Sequence, residues 1–222
     1  MKTITKYSIV LWIFFAISIG YSGTFFDDFS DIDKSKEIWD IPCPIFIRSI
    51  AMEGGIGPVA GSSHHSLYQR MPGTKILSPM TPKEYEYAYE EFINDDSVYY
   101  ISEHRGSYDN TVEFKDVLYD ESDIVLFPIS ITRFEAEKAR KELEKKGLKV
   151  SIIHQLWIKP FVFKEEWKKC LNSSVHGGIV LDDDYEQGVA SSIAHRMMMD
   201  SNKKVYTMGL EHKTAGFHPD RD

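Results

Sequence analysis

The stretch "SDIVLFPISITRFEAEKARKELEKKGLKVSIIH", Ser122 to His154, decides the fold class. Asp123 to Ile129 is a short apolar run, which suits a strand buried on both faces. The period then changes. Phe134 or Ala136, Ala139 and Leu143 recur at helical spacing, and the helix stops at Gly147, a residue that tolerates the left-handed backbone of a helix end. Leu148 to His154 is apolar again. For strand, helix and strand in this order, a parallel pair joined by a right-handed crossover is the expected topology.

The alternation continues on both sides. Downstream, residues 164–171 suit a short helix, "GGIVLDD" (177–183) a third strand, "QGVASSIAHRMMMDS" (187–201) a long helix and "KKVYTMG" (203–209) a fourth strand. Upstream, "CPIFIR" (43–48), "TKILSP" (74–79) and "SVYYIS" (97–102) read as strands. A helix opens sharply at Thr81, with Pro82 in the first helical position and Glu84 placed to return a hydrogen bond to the cap amide. The predicted fold class is α/β with a mostly parallel sheet, in two lobes joined by the charged, turn-rich linker 103–121.

Composition narrows the function classes. Thirty-four acidic residues against 26 basic ones give a formal charge of -8, without a basic stripe, so no nucleic-acid partner is expected. Cys43 and Cys170 match neither a metal-site spacing nor a disulfide framework. At the N-terminus, Lys2 and Lys6 precede an apolar run from Ile9 to Ile19. Residues 1–23 have the outline of a signal peptide, yet a core element or a membrane anchor is also compatible, although a span needs about 20 residues. Residues 24–40 are charged enough to lie on a surface. The Asn172-Ser173-Ser174 acceptor matters only if the chain is secreted.

With these residues in view, "GPVAGSSHHSLYQRMPGTKILSPMTPKEYEYAYEEF" and the following "DDSVYYISEHR" resemble the later part of the pyrimidine-binding domain of transketolase-like, thiamine-diphosphate-dependent enzymes. The likeness looks closest to the beta subunit of the 2-oxoacid dehydrogenases. "SDIVLFPISITRFEAEKARKELEKKGLKVSIIHQLWIKPF" and "GGIVLDDDYEQGVASSIAHRM" are similar to that family's C-terminal domain. The resemblance implies a truncated pyrimidine-binding-like domain over 24–102 and a transketolase C-terminal-like, three-layer α/β/α domain over 122–222. It also implies a chemistry that needs thiamine diphosphate and Mg2+, with a carboxylate beside the aminopyrimidine. The segment that carries this carboxylate in the family corresponds to only about forty residues here, and no diphosphate signature occurs. The isolated chain is therefore expected to bind no cofactor and to be inactive. The implied partners are a second copy or a complementary subunit carrying the diphosphate-binding domain, and a 2-oxoacid or ketose phosphate as substrate. The rival reading is a non-catalytic dimerisation or docking module, and a third is an incomplete gene product. The resemblance implies a cytoplasmic location.

The candidate site starts at "EGGIGPVAGSSHHS" (53–66), a glycine-rich turn running into two histidines. The resemblance places a histidine after this turn on the substrate side, and a pKa near 6.5 suits proton transfer at neutral pH. His64 is the first carry-over and His65 the second. Neighbours in an extended chain point apart, so one faces the cleft and the other the protein. The interval to Pro72 is shorter than in the family, which implies a deletion in the helix that follows. Arg48, at a strand end, is a candidate for substrate or interface contacts in the same cleft, with pairing to an acid the favoured expectation. Glu103 and His104 are candidates for substrate or interface contacts, and His104 also for capping the linker. "LDDDYEQG" (181–188) is read as a turn and helix start rather than a metal site, and "RMMMD" (196–200) either as a sulfur-rich patch or as core packing at a helix end. No cofactor-binding or metal-ligating residue is assigned.

Overall fold

A computed structural model describes residues 44–52 and 61–211, within a unit that begins at Pro44. Residues 1–43, the glycine turn at 53–60 and residues 212–222 lie outside the described residues, and with them the readings of the N-terminal segment. The strands are β1 (Ile45–Ala51), β2 (Thr74–Leu77), β3 (Val98–His104), β4 (Ile124–Pro128), β5 (Val150–Ile152), β6 (Trp157–Lys159), β7 (Gly178–Tyr185) and β8 (Val205–Leu210). The helices are α1 (His65–Tyr68), α2 (Pro82–Ile93), α3 (Thr132–Lys145), α4 (Glu165–Ser173) and α5 (Val189–Ser201).

The decisive stretch folds as β4, α3 and β5, with the two strands parallel in register Ile124 to Val150. Its sheet runs β5-β4-β7-β8, with every pair parallel. Alternation along β4 makes the three layers. Leu126 joins Ala136 and Leu143 of α3 on one face, whereas Val125 and Phe127 join Ile193 and Ala194 of α5 on the other. The chain is thus α/β, as its periodicity predicts. Ala139, however, is exposed, because the inward stripe of α3 runs through Arg133, Ala136 and Leu143. At the helix end Gly147 has φ +87°, the conformation for which glycine was read.

The other sheet runs β1-β3-β2-β6. β1, β3 and β2 are parallel, while β6 lies antiparallel to β2. This last strand comes from the second half of the sequence, so the halves interlock across the expected linker. Glu103 and His104, assigned to that linker, instead end β3, because β1 continues beside it and pairs Ala51 with His104. Tyr99 and Ile101 of β3 face Ala88 of α2, while Tyr100 points into the core that also holds Phe127 and Val180.

A candidate site at the histidine loop

Because β1, β2 and β3 are parallel, their carboxyl ends lie together, and such ends are where open α/β sheets take ligands. The loop from Gly61 to Tyr68 reaches this end. His64 occupies the N-cap position of α1 and is partly exposed. His65 is completely buried. Its Nδ1 lies 3.0 Å from Ser102 Oγ on β3, and its Nε2 lies 3.0 Å from both carboxylate oxygens of Asp182 on β7. Burial disfavours charge on the ring, but the field and hydrogen bond of Asp182, with help from Asp183 and Asp184, outweigh it. The His65 pKa is raised to about 9, so the ring is an imidazolium at neutral pH.

Each of three consecutive aspartates holds one loop residue. Asp182 holds His65, Asp183 accepts from Ser63 Oγ at 2.5 Å, and Asp184 accepts from the Ser66 amide at 3.0 Å. Partial burial and the adjacent Asp182 charge push the Asp183 carboxyl up to about 6. Ser66 Oγ in turn accepts the Val189 amide at 3.0 Å, satisfying a donor in the first turn of α5. This contact needs Gly188, where a Cβ would stand 2.1 Å from Ser66 Oγ. The reading of Leu181 to Gly188 as a turn and helix start holds for residues 186–188, which turn into α5 at Val189, and is corrected before them: β7 runs through to Tyr185, because Asp182 and Asp184 face inward onto the histidine loop. No metal-holding group of three or more His, Cys, Asp or Glu occurs among the described residues.

Arg48 and Glu103 lie on the opposite face of β3, whereas His104, next but one after Ser102, shares the Ser102 face. Arg48 stands beside Ile101, so Glu103, two residues further, shares its face, while Ser102 points the other way. The Arg48 guanidinium donates through Nε and through Nη2 (2.8 Å) to Glu103, and Tyr108 adds its hydroxyl at 2.7 Å. Glu103 is buried, yet Arg48 remains about half exposed. The hydrogen bond to Glu103 raises the Arg48 pKa further, and burial, together with acceptance by Glu103, pushes Tyr108 up to about 12. His104 accepts the Gly106 amide at its Nδ1 (3.0 Å) and so caps the 3-10 turn Arg105–Ser107. β3 thus separates the Arg48–Glu103 pair from the His65 cluster. At the far helix end, Met197 is buried but Met198 and Met199 are exposed, so only the first of the "RMMMD" methionines packs in the core.

Sequence reading missed Asp182, Asp183 and Asp184 as partners of the loop. The available signal was an acidic run continuing directly from an apolar strand, which needs a buried cation or donors if the strand continues.

The sheet order, the layered second half and the loop at the carboxyl ends define a transketolase-like α/β fold. Two solved structures carry that likeness. One is a split-gene transketolase described as an inactive β4 tetramer, 16% identical, with a TM-score of 0.57 over 77% of this chain and 58% of that one. The other is a transketolase mutant from Pichia stipitis, 17% identical, with a TM-score of 0.61 over 79% of this chain and 27% of that one. The chain therefore spans less than two thirds of either neighbour. No protein-family model matches it. Among the described residues, no helix is long and apolar enough to cross a membrane.

Proposed function

We propose that the chain is one component of a thiamine-diphosphate-dependent enzyme of the transketolase-like kind, inactive alone and completed by another subunit. The supporting observation is the buried His65–Asp182 pair, which sets His64, partly exposed, at the carboxyl end of a parallel sheet. His64 is then the group that hydrogen-bonds a 2-oxoacid or ketose phosphate, or moves a proton at it. Motif order in the sequence favours a 2-oxoacid dehydrogenase beta-like role within this class, and a cytoplasmic location.

The described residues do not fit the complete cofactor. Glu103 is engaged by Arg48 and Tyr108, and among the described residues no group of three or more His, Cys, Asp or Glu is placed to hold a metal ion. A partner carrying the diphosphate-binding domain must supply those groups, and no chemical step is assigned to this chain through the cofactor. A second reading, a non-catalytic assembly module, draws support from the neighbour described as an inactive tetramer.

Calorimetric titration with thiamine diphosphate and Mg2+ tests both. The enzyme-component reading expects no heat from the chain alone and saturable binding once a complementary subunit is added, with turnover of a 2-oxoacid or ketose phosphate. A stable complex whose binding and turnover do not depend on this chain would leave the assembly reading.

A further inference from the structure

We infer that the imidazolium of His65 is the bolt of a charge-dependent latch between the two sheets: charged, it ties the loop Gly61–Tyr68 to Asp182 of β7 and Ser102 of β3, and deprotonated, it releases the loop and moves His64 from its place.

Geometry carries this inference. As an imidazolium, His65 donates from both ring nitrogens, Nδ1 to Ser102 Oγ and Nε2 to Asp182. A neutral ring can keep its Nε2 bond to Asp182 with the Ser102 hydroxyl donating to Nδ1, but it leaves buried Asp182 without a cation. Among the described residues no lysine or arginine forms an ion pair with Asp182, Asp183 or Asp184, whereas His65 pairs with Asp182 and lies 3.7 Å from Asp184. Among the described residues, the other elements against the loop offer no substitute charge. On β2, Lys75 is turned to Asp95 at 2.6 Å, and on β3 Tyr100 stacks on Tyr68 with ring centroids 3.9 Å apart. On β6, Lys159 donates to the carbonyls of Gln69 (3.1 Å) and Met71, beyond the far end of α1. Of the remaining loop anchors, Ser63 to Asp183 and Ser66 to Asp184 are single hydrogen bonds to carboxyls within the field of His65, while the Val189 amide to Ser66 Oγ and the Met52 amide to the Gly61 carbonyl are bonds between neutral groups.

The acid–base sense follows from the cluster. Its one imidazolium faces three carboxyls, so losing that proton leaves like charges together in a buried place, where they repel. Release is therefore expected on the alkaline side, with the ring titrating near 9. The latch operates whether or not the chain binds a cofactor.

Amide exchange of the full chain, corrected for intrinsic rates, combined with NMR titration of the histidine rings, tests it. In the wild type, protection of Gly61–Tyr68 should fall at least about tenfold between about pH 7 and about pH 10, at the midpoint of the His65 titration, since one pH unit corresponds to a factor of ten. Asp182→Asn should lower that midpoint by about one pH unit or more, because an adjacent carboxylate raises a histidine pKa by about 1–3. His65→Gln should show an open loop without a pH step. Protection independent of pH in the wild type, a ring titrating below neutrality, or the same step in His65→Gln would each overturn the latch. The wild-type measurements decide it even if a variant fails to fold.

Discussion

Arg133 of α3 grips Glu84 of α2 through two hydrogen bonds, 2.7 Å from Nη1 and 2.5 Å from Nη2, and joins helices from the two halves of the chain. The guanidinium is buried and lies over the ring of Phe114 at 4.8 Å, with His154 stacked on the same ring at 4.6 Å. Burial and the nearby Arg133 charge push His154 down to about 3, so it stays neutral, with Nδ1 facing Arg133 Nε and Nε2 facing Glu137.

Removing one side of this pair strands a charge in a largely covered place, which costs about 3–5 kcal/mol. Arg133→Met and Glu84→Gln should each lower the unfolding free energy from urea titration by such an amount. The double variant should lose clearly less than the sum, since contacting residues are not additive. Additive losses in the denaturation cycle would show that the pair does not couple the halves.

Stability should depend on pH in two windows. His65 has its folded pKa above the ordinary value, so its contribution is complete below about pH 6.5 and is lost as pH rises through 9. The shift corresponds to about 3 kcal/mol, as an order of magnitude. Asp183, raised to about 6, is more stable neutral, so its ionisation lowers stability between about pH 4 and 6. Denaturant midpoints measured across this range should decline with pH in both windows, and His65→Gln should erase only the alkaline decline.

Gly188→Ala should loosen the join between loop and helix. The added methyl group would meet Ser66 Oγ at 2.1 Å and the Tyr185 carbonyl at 3.0 Å, so Ser66 must move and the Val189 amide loses its acceptor. A loss of about 1–3 kcal/mol is expected for such overpacking. Adding Ser66→Ala should recover part of it, since the closest clash disappears. Thermal melts of the single and double variants measure the difference.

The two histidines should separate by readout. In a complemented enzyme, His64→Ala should lower turnover about 10²-fold or more, the usual effect of losing a placed proton-transfer group. It should leave the melting temperature nearly unchanged, because His64 is partly exposed. His65→Ala should lower the melting temperature of the chain by itself. Equal effects of the two variants on both readouts would dismiss the division of roles.

Much of the secondary structure was legible before any contact was known, because a short apolar run and a 3.6-residue stripe leave distinct patterns. Pro82 and Gly147 marked their helix ends for steric reasons that operate locally. The expected capping box at Thr81 formed differently. Glu84 accepts the Met80 amide at 2.9 Å and otherwise serves Arg133, while Thr81 Oγ1 donates to Glu113 at 2.5 Å. A strong tertiary partner redirected a local preference. β6 escaped notice because three residues before a proline carry no period of their own; only pairing with β2 makes them a strand.

The sequence by itself determined the α/β alternation, most strand and helix positions, the expectation that Arg48 finds an acid, and the prominence of the histidine loop. Those depend on backbone sterics and the burial of regularly spaced apolar residues, both readable within a dozen neighbours. Tertiary structure alone decided that His65 is the buried member of its pair, that Asp182 faces it across 117 positions of chain, and that Arg48 and Glu103 lie on the other side of β3. Such pairings depend on where distant strands meet, and a charge becomes tolerable in the interior only once folding has brought its opposite within hydrogen-bonding reach.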